Sequence, residues 1–301
     1  LVGSLAAYVA ASFFFAPAKG TTFNNLNDLR LAMLSPEDKP TGNAGVNLRA
    51  ILNPHPDDRI IYDLRPDLDV TFQRVPVKTN SCSMRDRERS FAKEPNVFRI
   101  ALLGDSFAFG WGVEEGKIFA STLERILNEK SVDGRKFEVL NFGVPGYSTF
   151  QEVAVFRERA LDFAPDAVLV YFIENDFGMP FFIRNSNNPD EISPSASQKK
   201  QPPNPDPSRS LVELNDLARE HSIKVYVAFN PRAKWMKDKK KLWALDDLPS
   251  VDIIPMFDEL VHSIKTREID DTTLQLPDDP HPSAPKHQLL AEILAPRFLS
   301  Q

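Results

Sequence analysis

The chain has 301 residues, of which 42% are hydrophobic and 26% are charged, so its composition is globular rather than disordered or fibrous. Its formal net charge of -6 gives no electrostatic reason to expect nucleic acid as a partner. The single cysteine, Cys82, excludes an intrachain disulfide and a cysteine-rich zinc site.

The N-terminal segment is unusual because residues 1–18 contain no charged side chain. As a helix it would reach roughly 27 Å, close to the thickness of a bilayer core. Two hypotheses of export follow for residues 1–19. The segment is either a membrane anchor or a signal segment that ends at the small-x-small sequence Ala16-Pro17-Ala18. The remaining alternative is a buried N-terminal helix of the domain.

Residues 20–96, named the lead-in here, look rich in loops and are expected to pack on the domain that follows. A helix is predicted around Asn25–Met33, and residues 35–75 carry many prolines and Asp/Arg pairs. Alternating apolar and polar residues predict a strand over Val70–Thr79, with a turn after it at Asn80–Asp86.

Residues 97–301 read as one α/β domain in which apolar runs alternate with amphipathic segments. This pattern is typical of a parallel sheet covered by helices on both faces. A polar insertion at 184–209 predicts a loop or lid. The predicted strands are Phe98–Leu103, Phe137–Leu140, Ala167–Ile173, Ile223–Phe229 and Val251–Ile254, and the predicted helices are Phe119–Asn128, Phe150–Asp162, Leu211–His221 and His287–Leu299.

Four positions at strand ends or in late loops carry polar groups suited to chemistry. They are Ser106, Gly146, Asn175 and the cluster Asp278-Asp279-Pro280-His281. Each alone is weak, since a serine in a Gly-Asp-Ser turn is most often a turn residue or a helix N-cap. Ligands of such sheets bind outside the carboxyl ends of the strands, where these positions are expected to meet.

Taken together and in this order, the four blocks resemble the SGNH hydrolases, the GDSL-like esterase and lipase superfamily. The matching residues are Gly104-Asp105-Ser106-Phe107, then Asn141 through Gly146, then Asn175-Asp176, then His281-Pro282 with the aspartates before it. The resemblance covers about 97–181 and 211–299. It implies a three-layer α/β/α fold with a flavodoxin-like parallel sheet.

The resemblance also implies roles for these residues. Ser106 would be the nucleophile, and His281 would be the base that takes its proton. Asp278 or Asp279 would orient the imidazole. The oxyanion would be bound by the backbone N–H groups of Ser106 and Gly146 and by the side-chain amide of Asn175. No cofactor and no metal are expected.

Three features depart from the pattern of the family or leave a choice open. Ile173 stands where the third block usually has glycine, and this predicts altered local packing. Glu174 adds a carboxylate that we expect to face away from His281. The commoner spacing Asp-x-x-His slightly favours Asp278 as the orienting aspartate, whereas Asp-x-His, seen in some relatives, selects Asp279.

Other residues have an ordinary structural interpretation beside a functional one. His287 is expected to cap or pack the last helix, and Cys82 to be an unreactive thiol. The aromatic residues Phe107, Phe109 and Trp111 are candidates for an acyl pocket, although core packing is the favoured interpretation. Arg85 and Asp86 lie in a stretch resembling an Asn-Ser-x-Gly-x-Arg-Asp lead-in of some bacterial relatives, and we expect it to brace the catalytic face.

The favoured hypothesis is a serine esterase that forms an acyl-enzyme, with carbohydrate O-deacetylation as the finer version. An O-acyltransferase with the same triad is a close variant. A non-catalytic binding or assembly protein of the cell envelope is the alternative from another class. The expected partners are a small-molecule or glycan ester and, through residues 1–19, a membrane, with an extracytoplasmic location in the periplasm or at the cell surface.

Overall fold

The structure is a computed structural model in which residues 44–173, 176, 207–230 and 251–301 are described. Segment 1–19, the helix predicted around 25–33 and most of the insertion predicted at 184–209 lie outside these residues. Within the described ranges, no helix combines the length and the hydropathy that a bilayer span requires.

The lead-in contains two small antiparallel pairs of strands. Strands β1 (Leu52–Pro54) and β2 (Tyr62–Leu64) form one pair, and β3 (Asp69–Phe72) and β4 (Val75–Lys78) form the other. The prediction of one strand over Val70–Thr79 is therefore wrong, because the chain reverses in its middle. Gln73 and Arg74 both adopt positive φ, as a two-residue hairpin turn requires, without the glycine or asparagine that usually marks it.

The central sheet has five parallel strands in the order β6-β5-β7-β8-β9. Each was predicted to within one residue at either end, and the signal is strongest in Ala167–Phe172, which is apolar and buried at every position. The strands are β5 (Val97–Leu103), β6 (Lys136–Asn141), β7 (Ala167–Phe172), β8 (Lys224–Phe229) and β9 (Val251–Ile254).

Among the described residues there are also six α-helices, one further strand pair and four short 3-10 helices. The helices are α1 (Ser106–Phe109), α2 (Phe119–Lys130), α3 (Thr149–Glu158), α4 (Pro207–Glu220), α5 (Met256–Thr266) and α6 (Ala284–Leu299). Strands β10 (Gln275–Leu276) and β11 (Asp279–Pro282) pair antiparallel just before α6.

The helices differ from their predicted extents more than the strands do, and α6, for example, begins at Ala284 rather than His287. Helix α3 ends at Glu158 rather than Asp162, and a short 3-10 helix, Ala160–Phe163, follows it. Helix α4 begins at Pro207, inside the predicted polar insertion, since proline is well suited to the first helical position. Helix α5 was not predicted, although Met256, Leu260 and Ile264 recur every four residues along it.

The sheet separates two apolar cores, so the domain has the three-layer α/β/α architecture that was expected. Alternate residues of β5 face opposite sides: Ala101 and Leu103 join one core, and Ile100 and Leu102 join the other. Helices α3 and α4 and the lead-in contribute to the first core, and α2, α5 and α6 to the second.

Ion pairs and hydrogen bonds attach the end of the lead-in to the domain. The buried guanidinium of Arg89 lies 2.8 Å from Asp86 and 2.8 Å from Glu124 of α2. Asp86 also accepts a 3.4 Å hydrogen bond from the backbone N–H of Asn141, at the end of β6. These contacts attach the segment to α2 and to the carboxyl end of β6.

A cluster of buried carboxyl groups lies within the domain. Burial, followed by the nearby charge of Asp105, raises the pKa of Asp176 to about 8. Burial and the charges of Asp176 and Asp105 raise the pKa of Glu152 well above its usual value. Neither carboxyl oxygen of Glu152 has a hydrogen-bond partner in the described part of the chain. Burial and the neighbouring carboxyl groups thus favour the protonated form of Glu152 in the folded protein.

This protonation makes the stability of the fold depend on pH. Unfolding exposes Glu152 to water, where its pKa returns to about 4.5, so above that pH unfolding releases a proton. The free energy of unfolding then falls as pH rises through the folded pKa, by up to about 1.4 kcal/mol per pH unit. We expect Glu152→Gln to lose part of this slope in urea unfolding measured from pH 5 to 9.

The matched control is Glu220→Gln, because Glu220 is exposed on α4. This variant should keep the slope of the wild-type protein. Parallel curves for the wild-type protein and Glu152→Gln would contradict the expectation, since they would mean that Glu152 is ionised in the folded state.

Candidate active site

The turn after β5 carries Ser106 at the first position of the short helix α1. Asp105 caps this helix, its carboxylate accepting a hydrogen bond from the backbone N–H of Phe107 at 2.9 Å. Gly104 is required by space, because a Cβ atom there would lie 2.6 Å from the Cβ atom of Ala108. The turn thus holds the Ser106 side chain at the carboxyl end of the sheet, only 5% exposed.

A hydrogen-bonded chain joins this serine to two residues of β11. Oγ of Ser106 lies 2.9 Å from Nε2 of His281, and Nδ1 of His281 lies 2.5 Å from Oδ1 of Asp279. Ser106 Oγ is also 3.3 Å from Oδ2 of Asp105, a longer contact, so His281 is the closer acceptor. The three residues have the order nucleophile, base and orienting carboxylate that acyl transfer by serine requires.

The preference for Asp278 as the partner of His281 is wrong, since Asp279 makes the contact. Residues two apart in a strand point to the same face, and Asp279 and His281 are two apart in β11. Asp278 instead lies in the turn between β10 and β11, exposed and with φ at 61°. The Asp279 carboxylate also accepts a 2.9 Å hydrogen bond from the backbone N–H of His281.

The surroundings of the pair favour an ionised Asp279. Partial burial opposes its ionisation, but the hydrogen bond and charge of His281 and the indole of Trp111 outweigh it, so the pKa of Asp279 lies below its usual value. A carboxylate in this state can hold an imidazole that becomes positively charged.

His287 lies in the first turns of α6 and takes no part in the hydrogen-bonded chain. Burial, followed by the charges of Lys286, Arg85 and His281, lowers the pKa of His287 to about 3. Its ring nitrogens have no hydrogen-bond partner among the residues described. His287 is therefore a neutral packing residue, as one of its two predicted roles stated.

Two of the predicted oxyanion donors are backbone N–H groups of described residues. No described residue accepts a hydrogen bond from the N–H of Ser106 or from that of Gly146. The loop after β6 packs tightly on α1, since a Cβ atom at Gly143 would lie 2.5 Å from the backbone nitrogen of Phe109. The third predicted donor, Asn175, lies outside the described residues, as does Glu174.

The aromatic candidates divide between the core and the site. Phe109 is buried in the core, with Phe72 of the lead-in at 6.2 Å between ring centroids. Phe107 is partly exposed, 5.5 Å from the His281 ring. Trp111 stacks on His281 at 4.7 Å and donates a 3.2 Å hydrogen bond from Nε1 to Oδ2 of Asp279.

Sequence reasoning missed this contact of Trp111 and the detailed role of Arg85. The Arg85 guanidinium, 1% exposed, donates to the backbone carbonyl groups of Phe109 at 3.1 Å, Gly110 at 2.6 Å and Val113 at 2.6 Å. The Arg-Asp motif drew attention to Arg85. It could not identify the acceptors, because they are backbone carbonyl groups 24 to 28 residues away in sequence.

The described residues contain no group of three or more His, Cys, Asp or Glu side chains able to hold a metal ion. What they contain is a serine hydroxyl, an imidazole and a carboxylate in hydrogen-bond contact. This set of groups can perform nucleophilic acyl transfer.

Comparison with known proteins gives similarity at the level of fold. No protein-family model and no curated protein matches the chain. Of the solved structures, a two-domain esterase active on acetylated mannans has 18% identity and a TM-score of 0.48, covering 68% of this chain and 48% of that one. The chain thus spans about half the length of that esterase.

Two further similar structures come from named bacteria. A lipolytic protein of the G-D-S-L family from Desulfitobacterium hafniense has 15% identity and a TM-score of 0.44, covering 66% of this chain and 98% of that one. A lipase/acylhydrolase from Enterococcus faecalis has 15% identity and a TM-score of 0.43, covering 67% and 96%. The chemistry of the site is inferred from this chain's own side chains.

Proposed function

We propose that the chain is a serine ester hydrolase that works through a covalent acyl-enzyme. The observation that carries the proposal is the hydrogen-bonded chain from Ser106 through His281 to Asp279, with contacts of 2.9 and 2.5 Å. A binding protein has no use for a buried serine hydroxyl hydrogen-bonded to an imidazole that is itself held by a carboxylate. This arrangement favours the enzyme over the non-catalytic alternative.

In the first half of the proposed reaction, Oγ of Ser106 attacks the ester carbonyl carbon while Nε2 of His281 takes the hydroxyl proton. The N–H groups of Ser106 and Gly146, with the amide of Asn175, bind the oxygen that becomes negative. Each such donor contributes about 2.7–4 kcal/mol in the transition state. The imidazolium returns its proton to the alcohol oxygen as the ester bond breaks, leaving an acyl group on Ser106.

In the second half, water enters and His281 takes a proton from it as the water oxygen attacks the acyl carbon. The acid leaves when the bond to Oγ breaks and the proton returns to Ser106. Asp279 keeps its negative charge throughout and stabilises the imidazolium twice in each cycle. A sugar hydroxyl in place of water would give the acyltransferase variant with the same groups.

The substrate we propose is an ester of a small acyl group, with acetylated carbohydrate as the finer version. The support is the uncharged segment 1–18, which predicts export to a compartment where cell-surface carbohydrate lies. Membrane attachment through this segment belongs to the same proposal. A panel of esters differing in acyl length, tested beside acetylated glycans, would separate these substrates.

The nucleophile is tested by Ser106→Ala with p-nitrophenyl acetate. We expect kcat to fall by at least roughly 10⁴-fold, because the remaining groups cannot form the acyl-enzyme. Ser90→Ala is the matched control, since Ser90 is exposed in the lead-in, and it should retain wild-type kcat. Equal, background rates for the wild-type protein and Ser106→Ala with every ester would refute the proposed function.

The neighbouring aspartates provide a second test in the form of a matched pair. Asp279→Asn should lower kcat on the order of 10⁴-fold, because an amide holds the imidazole in the wrong tautomer. Asp278→Asn should stay within about twofold of wild type, since only an exposed turn carboxylate changes and no charge–charge contact of His281 is lost. A larger loss in Asp278→Asn than in Asp279→Asn would show that the assignment is reversed.

A further inference from the structure

Trp111 contacts both residues that would carry the base in the proposed reaction. The indole and imidazole planes are 11° from parallel, with 4.7 Å between the centroids of Trp111 and His281. At the same time Nε1 of Trp111 donates a 3.2 Å hydrogen bond to Oδ2 of Asp279. Oδ1 of this carboxylate serves both the backbone N–H and Nδ1 of His281, so the indole holds the other oxygen.

These two contacts differ in their physical effect. An indole N–H is only a donor, so its bond to Oδ2 resists rotation of the Asp279 carboxylate about its terminal torsion. The face of an indole is electron-rich and attracts a cation that lies over it. The stack with His281 therefore strengthens when the imidazole takes up the proton of Ser106.

The position of Trp111 is fixed by groups other than the side chains of the hydrogen-bonded chain. Phe72 of the lead-in packs against the indole at 82°, with 4.8 Å between centroids. The backbone N–H of Trp111 donates to the carbonyl of Ser106 at 3.1 Å. Arg85 holds the carbonyl groups of Gly110 and Val113, on either side of Trp111, at 2.6 Å each.

The same loop also meets the hairpin that carries the base. Gly112 has φ at 68°, and a Cβ atom there would lie 2.6 Å from a methyl carbon of Leu276 in β10. The loop from 110 to 113 thus lies between the lead-in, α1 and the β10–β11 hairpin. The position of the side chain at residue 111 is therefore determined by three separate parts of the chain.

We propose that Trp111 is a positioning residue for the Asp279–His281 pair and that the lead-in, through Phe72 and Arg85, holds it in register. This inference rests on the proposed function. The lead-in then contributes to the site, because its side chains position Trp111, which in turn orients Asp279. The competing role for Trp111 is the wall of an acyl pocket, in which it would contact substrate.

Kinetics with p-nitrophenyl acetate, butyrate and hexanoate distinguish the two roles. For Trp111→Leu we expect kcat to fall roughly 10- to 100-fold by the same factor with each ester, the size expected for losing a hydrogen bond to a charged group. KM should stay within about twofold. Trp111→Phe keeps a ring and loses the donor, so its kcat should lie between Trp111→Leu and wild type.

The control is Phe98→Leu, since Phe98 pairs with Phe137 at the opposite end of β5 from Ser106. It should retain wild-type kcat. An unchanged kcat in Trp111→Leu, or a loss that grows with acyl length and falls on KM, would overturn the proposal. So would an equal loss in Phe98→Leu, which would indicate a general effect of core packing.

Crystal structures of the wild-type protein and Trp111→Phe give a readout that needs no activity. We expect the Asp279 carboxylate to rotate and the contact between His281 Nε2 and Ser106 Oγ to lengthen beyond hydrogen-bond distance. Unchanged positions of both side chains would overturn the proposal. If the wild-type protein hydrolyses no ester, the proposed function fails, whereas the two crystal structures still decide whether Trp111 orients the pair.

Discussion

The burial of one guanidinium group constrains the path of the chain around the site. Arg85 is almost fully buried, and burial lowers its pKa to about 10. Its partners are backbone carbonyl groups, three of which belong to Phe109, Gly110 and Val113. A buried charge without partners costs several kcal/mol, so these carbonyls cannot move away freely. These hydrogen bonds attach the loop after α1 to the lead-in. The attachment sets the position of Trp111 relative to His281.

Three buried titratable groups share an electrostatic property, because burial disfavours the charged form of each. Burial lowers the pKa of His287 to about 3 and raises that of Asp176 to about 8. Glu152 is raised in the same direction as Asp176. Burial therefore opposes the appearance of charge on all three groups. Asp279, with its lowered pKa, supplies the nearby negative charge.

The sequence predicts much of the fold because the central sheet has a strong local signal. Runs such as Ala167–Phe172 are apolar at every position, and no other short element reads that way. The β3–β4 hairpin was missed because its turn, Gln73-Arg74, lacks the usual residues for positive φ. The candidate site residues were predicted from the order of the four short sequence blocks. The geometry of the site was not predicted, since the choice of Asp279 depends on β11 being a strand and the bond from Trp111 spans 168 residues.

The sequence separation between Ser106 and His281 affects when the site can form. Ser106 and His281 are 175 residues apart in sequence, and the nucleophile turn precedes four of the five sheet strands in synthesis order. A contact this far apart in sequence costs loop-closure entropy that other contacts of the fold must offset. A growing chain that has produced only its N-terminal half carries the serine without its base. The proposed chemistry on Ser106 therefore requires the C-terminal part of the fold as well as the N-terminal part.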